Sequence, residues 1–161
     1  VLDLVVGDGD GRVTLWTRVG GIDALPVRRD VDPFLGVNVR YQAVPQAVDW
    51  DSDGDLDLLV GSGGACVAYW ERLQDGSLKA QTGSSNPFAA INVSCALSCG
   101  TLGAANVHAA DWDGDGDLDL LIGVENGEVW YWERLASGSL RQLQGRSNPF
   151  HGIRMPGFRS V

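Results

Sequence analysis

The sequence repeats itself, and the repeat limits what the chain can fold into more than any other feature. Residues from 49 onward reappear from 111 onward, an offset of 62 (111 − 49) that holds without a gap. Trp70-Glu71-Arg72-Leu73 falls on Trp132-Glu133-Arg134-Leu135, and Gly76-Ser77-Leu78 on Gly138-Ser139-Leu140. Ser85-Asn86-Pro87-Phe88 falls on Ser147-Asn148-Pro149-Phe150. An earlier, incomplete copy lies at an offset of 54 (56 − 2): Leu2-Asp3-Leu4 matches Leu56-Asp57-Leu58, Trp16 matches Trp70, and Pro33-Phe34 matches Pro87-Phe88. A period of this length marks a supersecondary unit that cannot bury its apolar surface alone and must stack on its neighbours. The units divide as 1–37 (incomplete), 38–92, and 93–161, the last including the start of a further unit.

Each unit reads as four strands. A first strand at 42–48 or 105–110 leads into an aspartate-rich loop. The second, 57–61 or 119–123, is apolar on both faces, as expected of a strand covered on both sides. Hairpins follow at Gly9-Asp10-Gly11, Gly63-Gly64-Ala65 and Asn126-Gly127, residue types that tolerate positive φ in tight turns. The third strand alternates, with Val67 and Tyr69 on one side and Trp70 on the other, and again through Val129-Trp130-Tyr131-Trp132. A fourth strand at 77–81 or 139–144 precedes an Asn-Pro-Phe loop. Trp16, Trp70 and Trp132 recur at one place in the unit and are expected to pack between sheets. Four short antiparallel strands per unit describe a blade of a β-propeller. The fold class is therefore all-β: about two full blades plus most of a third. Closed propellers use about four to eight blades, so the chain is expected to be part of a longer protein or to have its ends covered by partners.

The loops carry the chemistry. Asp49-Trp50-Asp51-Ser52-Asp53-Gly54-Asp55-Leu56-Asp57 and Asp111-Trp112-Asp113-Gly114-Asp115-Gly116-Asp117-Leu118-Asp119 each place a carboxylate at every second residue. Five such charges in one tight loop repel one another unless a cation lies among them. A hard divalent ion taking roughly six to eight oxygens, chiefly calcium, satisfies them. Asp49, Asp51 and Asp53, and likewise Asp111, Asp113 and Asp115, would offer side-chain oxygens. Asp55 and Asp117 would offer backbone carbonyls, and Asp57 and Asp119 would close the sites, giving two bound Ca²⁺ ions. An EF-hand needs a glutamate at the twelfth position, but Val60 and Ile122 stand there, and the loops run into apparent strands instead of helices.

With its aromatic third strand and following Leu-Leu-Val-Gly or Leu-Leu-Ile-Gly, the Asp-x-Asp-x-Asp-Gly-x-Leu-Asp loop resembles the FG-GAP/VCBS repeat family. The propeller of integrin α chains is its best-known member. The resemblance covers nearly the whole chain, although the Phe-Gly and Gly-Ala-Pro signatures are not present as such. It implies a calcium-binding propeller in which the loop joins the first two strands of a blade. It also implies a protein-interaction or adhesion scaffold located outside the cell, at its surface or in an organelle lumen.

Composition agrees with that reading. The net charge is −9, and ten of the seventeen aspartates lie in the two loops, so the acidity mostly reports metal binding. It argues against a nucleic-acid surface, which would show a basic face. No apolar run approaches a membrane span. Cys95 and Cys99 are spaced for a small disulfide ring, while Cys66 reads as a small buried hydrophobe. Asn92-Val93-Ser94 is a glycosylation sequon consistent with secretion.

No catalytic constellation is visible. His108 and His151 occupy different places in their repeats, the serines lie in turns, and Gly7–Gly11 forms a hairpin and not a phosphate cradle. The expectation is therefore a non-enzyme. Its partners would be a protein or the remaining blades of a parent chain, with a glycan as the alternative. For the glycan, Tyr69, Tyr131 and Trp130 are candidate stacking surfaces, although core packing is the commoner use of such residues. A non-catalytic propeller attached to an enzyme is a further alternative.

Overall fold

The computed structural model describes residues 3–21, 24, 26–28, 32–63, 66–91, 105–124 and 126–154. Among them, eleven strands form three antiparallel sheets. The first holds β1 (Asp3–Gly7), β2 (Val13–Arg18) and β3 (Pro26–Arg28). The second holds β4 (Val44–Val48), β5 (Asp57–Ser62), β6 (Cys66–Arg72) and β7 (Leu78–Gln81). The third holds β8 (Asn106–Ala110), β9 (Asp119–Gly123), β10 (Val129–Arg134) and β11 (Leu140–Leu143). Within each sheet the strands lie side by side in chain order. No helix of the described residues is long and apolar enough to cross a membrane.

The repeat is exact in register. Leu4 pairs with Trp16, Leu58 with Trp70, and Leu120 with Trp132. β1 is thus the counterpart of β5 and β9, and the first sheet begins at the second strand of the unit. An all-β chain of three-, four- and four-stranded sheets matches the expected architecture; the described residues do not close into a ring.

Alternation along the strands explains how the sheets stack. Every residue of β5 is buried, because both faces of the second sheet are covered. Leu58 and Val60 pack with Val13, Phe34 and Val37 of the first unit. Their neighbours Leu59, Val67 and Tyr69 pack with Val107, Leu120, Ile122 and Trp132 of the third. Burying each large aliphatic side chain is worth about 1.5–3 kcal/mol. These two interfaces therefore hold the array together.

Glycine sets the spacing at its narrow edge. A Cβ on Gly7 would fall 2.0 Å from the Ala43 carbonyl oxygen, and one on Gly61 would fall 2.1 Å from that of Ala105. Each close approach is accompanied by the same backbone bond, Ala43 N–H to Asp8 O at 2.9 Å and Ala105 N–H to Ser62 O at 3.0 Å. The Gln46 amide ties the second sheet to the third, donating to Ala109 O at 3.2 Å and accepting from Ala109 N–H at 2.7 Å.

Three expectations need correction. The first strand of the second unit starts at Val44 and not at residue 42, because Arg40 and Gln42 hold φ at 74° and 45°, outside the extended region. Trp16 belongs to neither core; it is partly buried and gives its indole N–H to Thr14 Oγ1 at 3.2 Å. Cys66 is not a buried hydrophobe, for its half-buried side chain is disulfide-bonded. The Cys95/Cys99 pair and the Asn92 sequon lie outside the described residues.

Candidate metal centres

Both aspartate loops join the first and second strands of a four-stranded sheet, one between β4 and β5 and the other between β8 and β9. Their shape comes from the carboxylates themselves. Asp49 accepts the Asp53 N–H at 3.1 Å on one oxygen and the Gly54 N–H at 3.1 Å on the other. Asp111 accepts the Gly114 N–H at 2.8 Å and the Gly116 N–H at 3.2 Å. Each of the next links is an aspartate capping the amide two residues on: Asp51 with Asp53, Asp53 with Asp55, Asp113 with Asp115, and Asp115 with Asp117. Such Asx turns suit aspartate because its short side chain reaches its own following backbone. Gly114 and Gly116 hold φ at 80° and 94°, and Ser52, the counterpart of Gly114, is forced to 64°.

The loops gather oxygens. Ligand atoms of Asp49, Asp51 and Asp57 lie within 4.8 Å of one another, as do those of Asp111, Asp113 and Asp115. Asp53 and Asp55 fall outside the first group, and Asp117 and Asp119 outside the second. The donor set is all carboxylate, which fits a hard divalent cation better than a soft one. The charges also strain the site when no cation compensates them. Partial desolvation, then the Asp57 carboxylate, raises the Asp51 pKa above the usual carboxylate value. Desolvation followed by the charges of Asp115, Asp119 and Glu133 raises that of Asp113.

Asp57 and Asp119, at the ninth loop position, are buried and already engaged. Asp57 accepts the Tyr69 hydroxyl at 2.7 Å, the Trp50 N–H at 3.1 Å and the Arg72 N–H at 2.8 Å. Asp119 accepts the Tyr131 hydroxyl at 2.6 Å, the Trp112 N–H at 3.2 Å and the Arg134 N–H at 2.9 Å. Each carboxylate thereby locks its loop to the third strand of its own sheet. Burial, then the bond to the aspartate, pushes both phenols well above their ordinary pKa.

The two tyrosines are thus structural partners of the loops, a role that loop-centred reading of the sequence missed. The signal was present: a tyrosine stands twelve residues after the ninth-position aspartate in both full units (69 − 57 and 131 − 119). Burial also removes Tyr69 and Tyr131 as sugar platforms. Trp130 is only partly buried and lines a cleft of about 670 Å³ with Gln142, Gln144 and Asn148. His108 and His151 are exposed, on β8 and after the Asn-Pro-Phe loop.

Comparison with known proteins agrees with the motif. Residues 49–122 match a family model described as an FG-GAP-like repeat, consistent over that stretch with the resemblance read from the loop motif. No curated protein and no solved structure matches the chain.

Proposed function

We propose that this chain, whose residues 49–122 are FG-GAP-like repeat sequence, is a calcium-binding propeller segment of a larger extracellular or lumenal protein and acts as a protein-interaction or adhesion scaffold. The observation that supports the reading is that a cluster of three aspartate oxygens forms in the same loop, between the first and second strands, of two successive sheets. Asp49, Asp51 and Asp57 would hold one ion, and Asp111, Asp113 and Asp115 the other, with Asp53, Asp55, Asp117 and Asp119 adjoining. The ion neutralises repelling carboxylates and so stiffens the corner between two strands.

That role is structural. A site with Kd near 10⁻⁴ M contributes about 1.4 kcal/mol at millimolar calcium. Two such sites add roughly 3 kcal/mol to an array held mainly by its apolar interfaces. No catalytic role is proposed. The Cys66 disulfide supports an oxidising compartment, where calcium is also plentiful.

Thermal melting tests the reading. Stripping calcium with chelator should lower Tm by about 5–10 °C for a chain of this size. Identical melts in calcium and in chelator would contradict it. A second reading, glycan binding, now rests on Trp130 and the amides beside it; it requires glycan-array signal that Trp130→Ala removes.

A further inference from the structure

A line of hydrogen bonds runs from the anchor of one aspartate loop to the anchor of the other. Asp57 Oδ2 accepts the Trp50 N–H at 3.1 Å, and the Trp50 carbonyl accepts from Arg134 Nη1 at 2.7 Å. The Arg134 backbone N–H in turn donates to Asp119 Oδ1 at 2.9 Å. Asp57 belongs to the first oxygen cluster, and Asp119 ends the second loop, where it also holds the Trp112 N–H at 3.2 Å. The Arg134 guanidinium lies 4.8 Å from the Trp50 ring centroid, so Trp50 meets this cation at both its ring and its carbonyl. The strands leading into the two loops are clamped as well, Gln46 of β4 exchanging two hydrogen bonds with Ala109 of β8.

Arg134 has a second place to go, and its counterpart occupies it. Arg72 stands at the same position of the second sheet, but its Nε donates to Leu56 O at 2.8 Å and its Nη1 to Gly76 O at 3.2 Å, both within its own unit. The equivalent acceptors for Arg134 are Leu118 O and Gly138 O. Leu118 lies inside the second loop, between Asp117 and Asp119, so an ion there repels a guanidinium from that carbonyl. Trp50 is the second residue of its loop, outside the alternate positions that carry the carboxylates. A guanidinium on its carbonyl braces the first loop without taking an oxygen from the ion.

We propose that Arg134 couples the two loops: an ion in loop 111–119 commits the guanidinium to Trp50 O and so preorders loop 49–57 around Asp57. This rests on the calcium reading above and adds that the second ion binds more tightly than the first. Linkage makes the effect reciprocal. Ordering here works against the field, since by charge alone a bound ion weakens uptake of the next, and the Arg134 cation weakens uptake beside it.

Isothermal calcium titration in about 0.15 M salt tests this, where a screening length of about 8 Å damps the field between loops. The product of the two stepwise affinities of the full chain is compared with the product of the single-site affinities of Asp113→Ala and Asp51→Ala. Their ratio should be about five or more. Arg134→Ala, placed in all three backgrounds, should bring the ratio to one or below, with circular dichroism confirming folded chains. Arg134→Met, which keeps an apolar stem beside Trp50, should do the same where the alanine variant fails to fold. A ratio of one or less in the unsubstituted chain, or an equal ratio with and without Arg134, overturns the coupling while leaving two calcium sites. No calcium uptake by the folded chain overturns the calcium reading and the coupling together.

Discussion

The loops at 49–57 and 111–119 differ in one residue, Ser52 against Gly114, yet their tryptophans live in different surroundings. Trp50 is 3% exposed and lies under the Arg134 guanidinium, while Trp112 is 51% exposed. Both stack on the phenylalanine of their Asn-Pro-Phe loop at nearly the same distance. Local sequence therefore fixes the loop and its aromatic contact, and the neighbouring sheet alone decides burial. The oxygen clusters differ too: the first loop draws in the buried Asp57, whereas the second uses Asp115 and leaves Asp119 to its tyrosine. Near-identical segments thus hold a shared backbone scaffold with different amounts of tertiary support.

The largest effects should fall where the two loops are alike. Asp57→Ala or Asp119→Ala leaves two amides and a phenol without their buried acceptor, and each should cost about 3–5 kcal/mol by denaturant unfolding. If only one of the pair is costly, the loops are not equivalent anchors. The next contrast goes the other way. Trp50→Ala should cost about 3–5 kcal/mol, because it empties the interface between two sheets, and Trp112→Ala about 1 kcal/mol or less. Equal costs would mean that the third sheet does not cover Trp50 in solution.

Much of this was legible beforehand. The offset of 62 located the strands of both full units, because identical residues must satisfy identical pairing. The alternation of Val67 and Tyr69 against Trp70 correctly divided the two faces of β6. What escaped was set by contacts distant in sequence. Nothing local to Trp112 distinguishes it from Trp50, and nothing near Cys66 announces a disulfide. The loop motif ends on the ninth-position aspartates and marks them only as ligands; that their oxygens also serve a tyrosine and two amides depends on the fold of β6 and β10.

Alkaline pH probes those tyrosines in both sheets at once. Their folded pKa values are raised, so the folded chain keeps protons that the unfolded chain gives up above the free phenol value of about 10. Stability from this source is complete below that pH and should decline as pH rises past it. Tyr69→Phe and Tyr131→Phe should each flatten the decline, and a slope unchanged in the double variant would contradict the assignment. The smallest effect concerns the single loop difference. Ser52 holds φ at 64°, a left-handed conformation that glycine adopts freely. Ser52→Gly should therefore stabilise the chain by about 0.5–1 kcal/mol, making the first loop match the second.

By the proposal above, each loop grips a divalent cation. Isothermal titration of calcium into chelator-stripped chain tests it most directly. Uptake of two ions per chain is predicted, with Asp51→Ala or Asp113→Ala each leaving one; no calcium uptake by the folded chain, or uptake that neither substitution reduces, would contradict it.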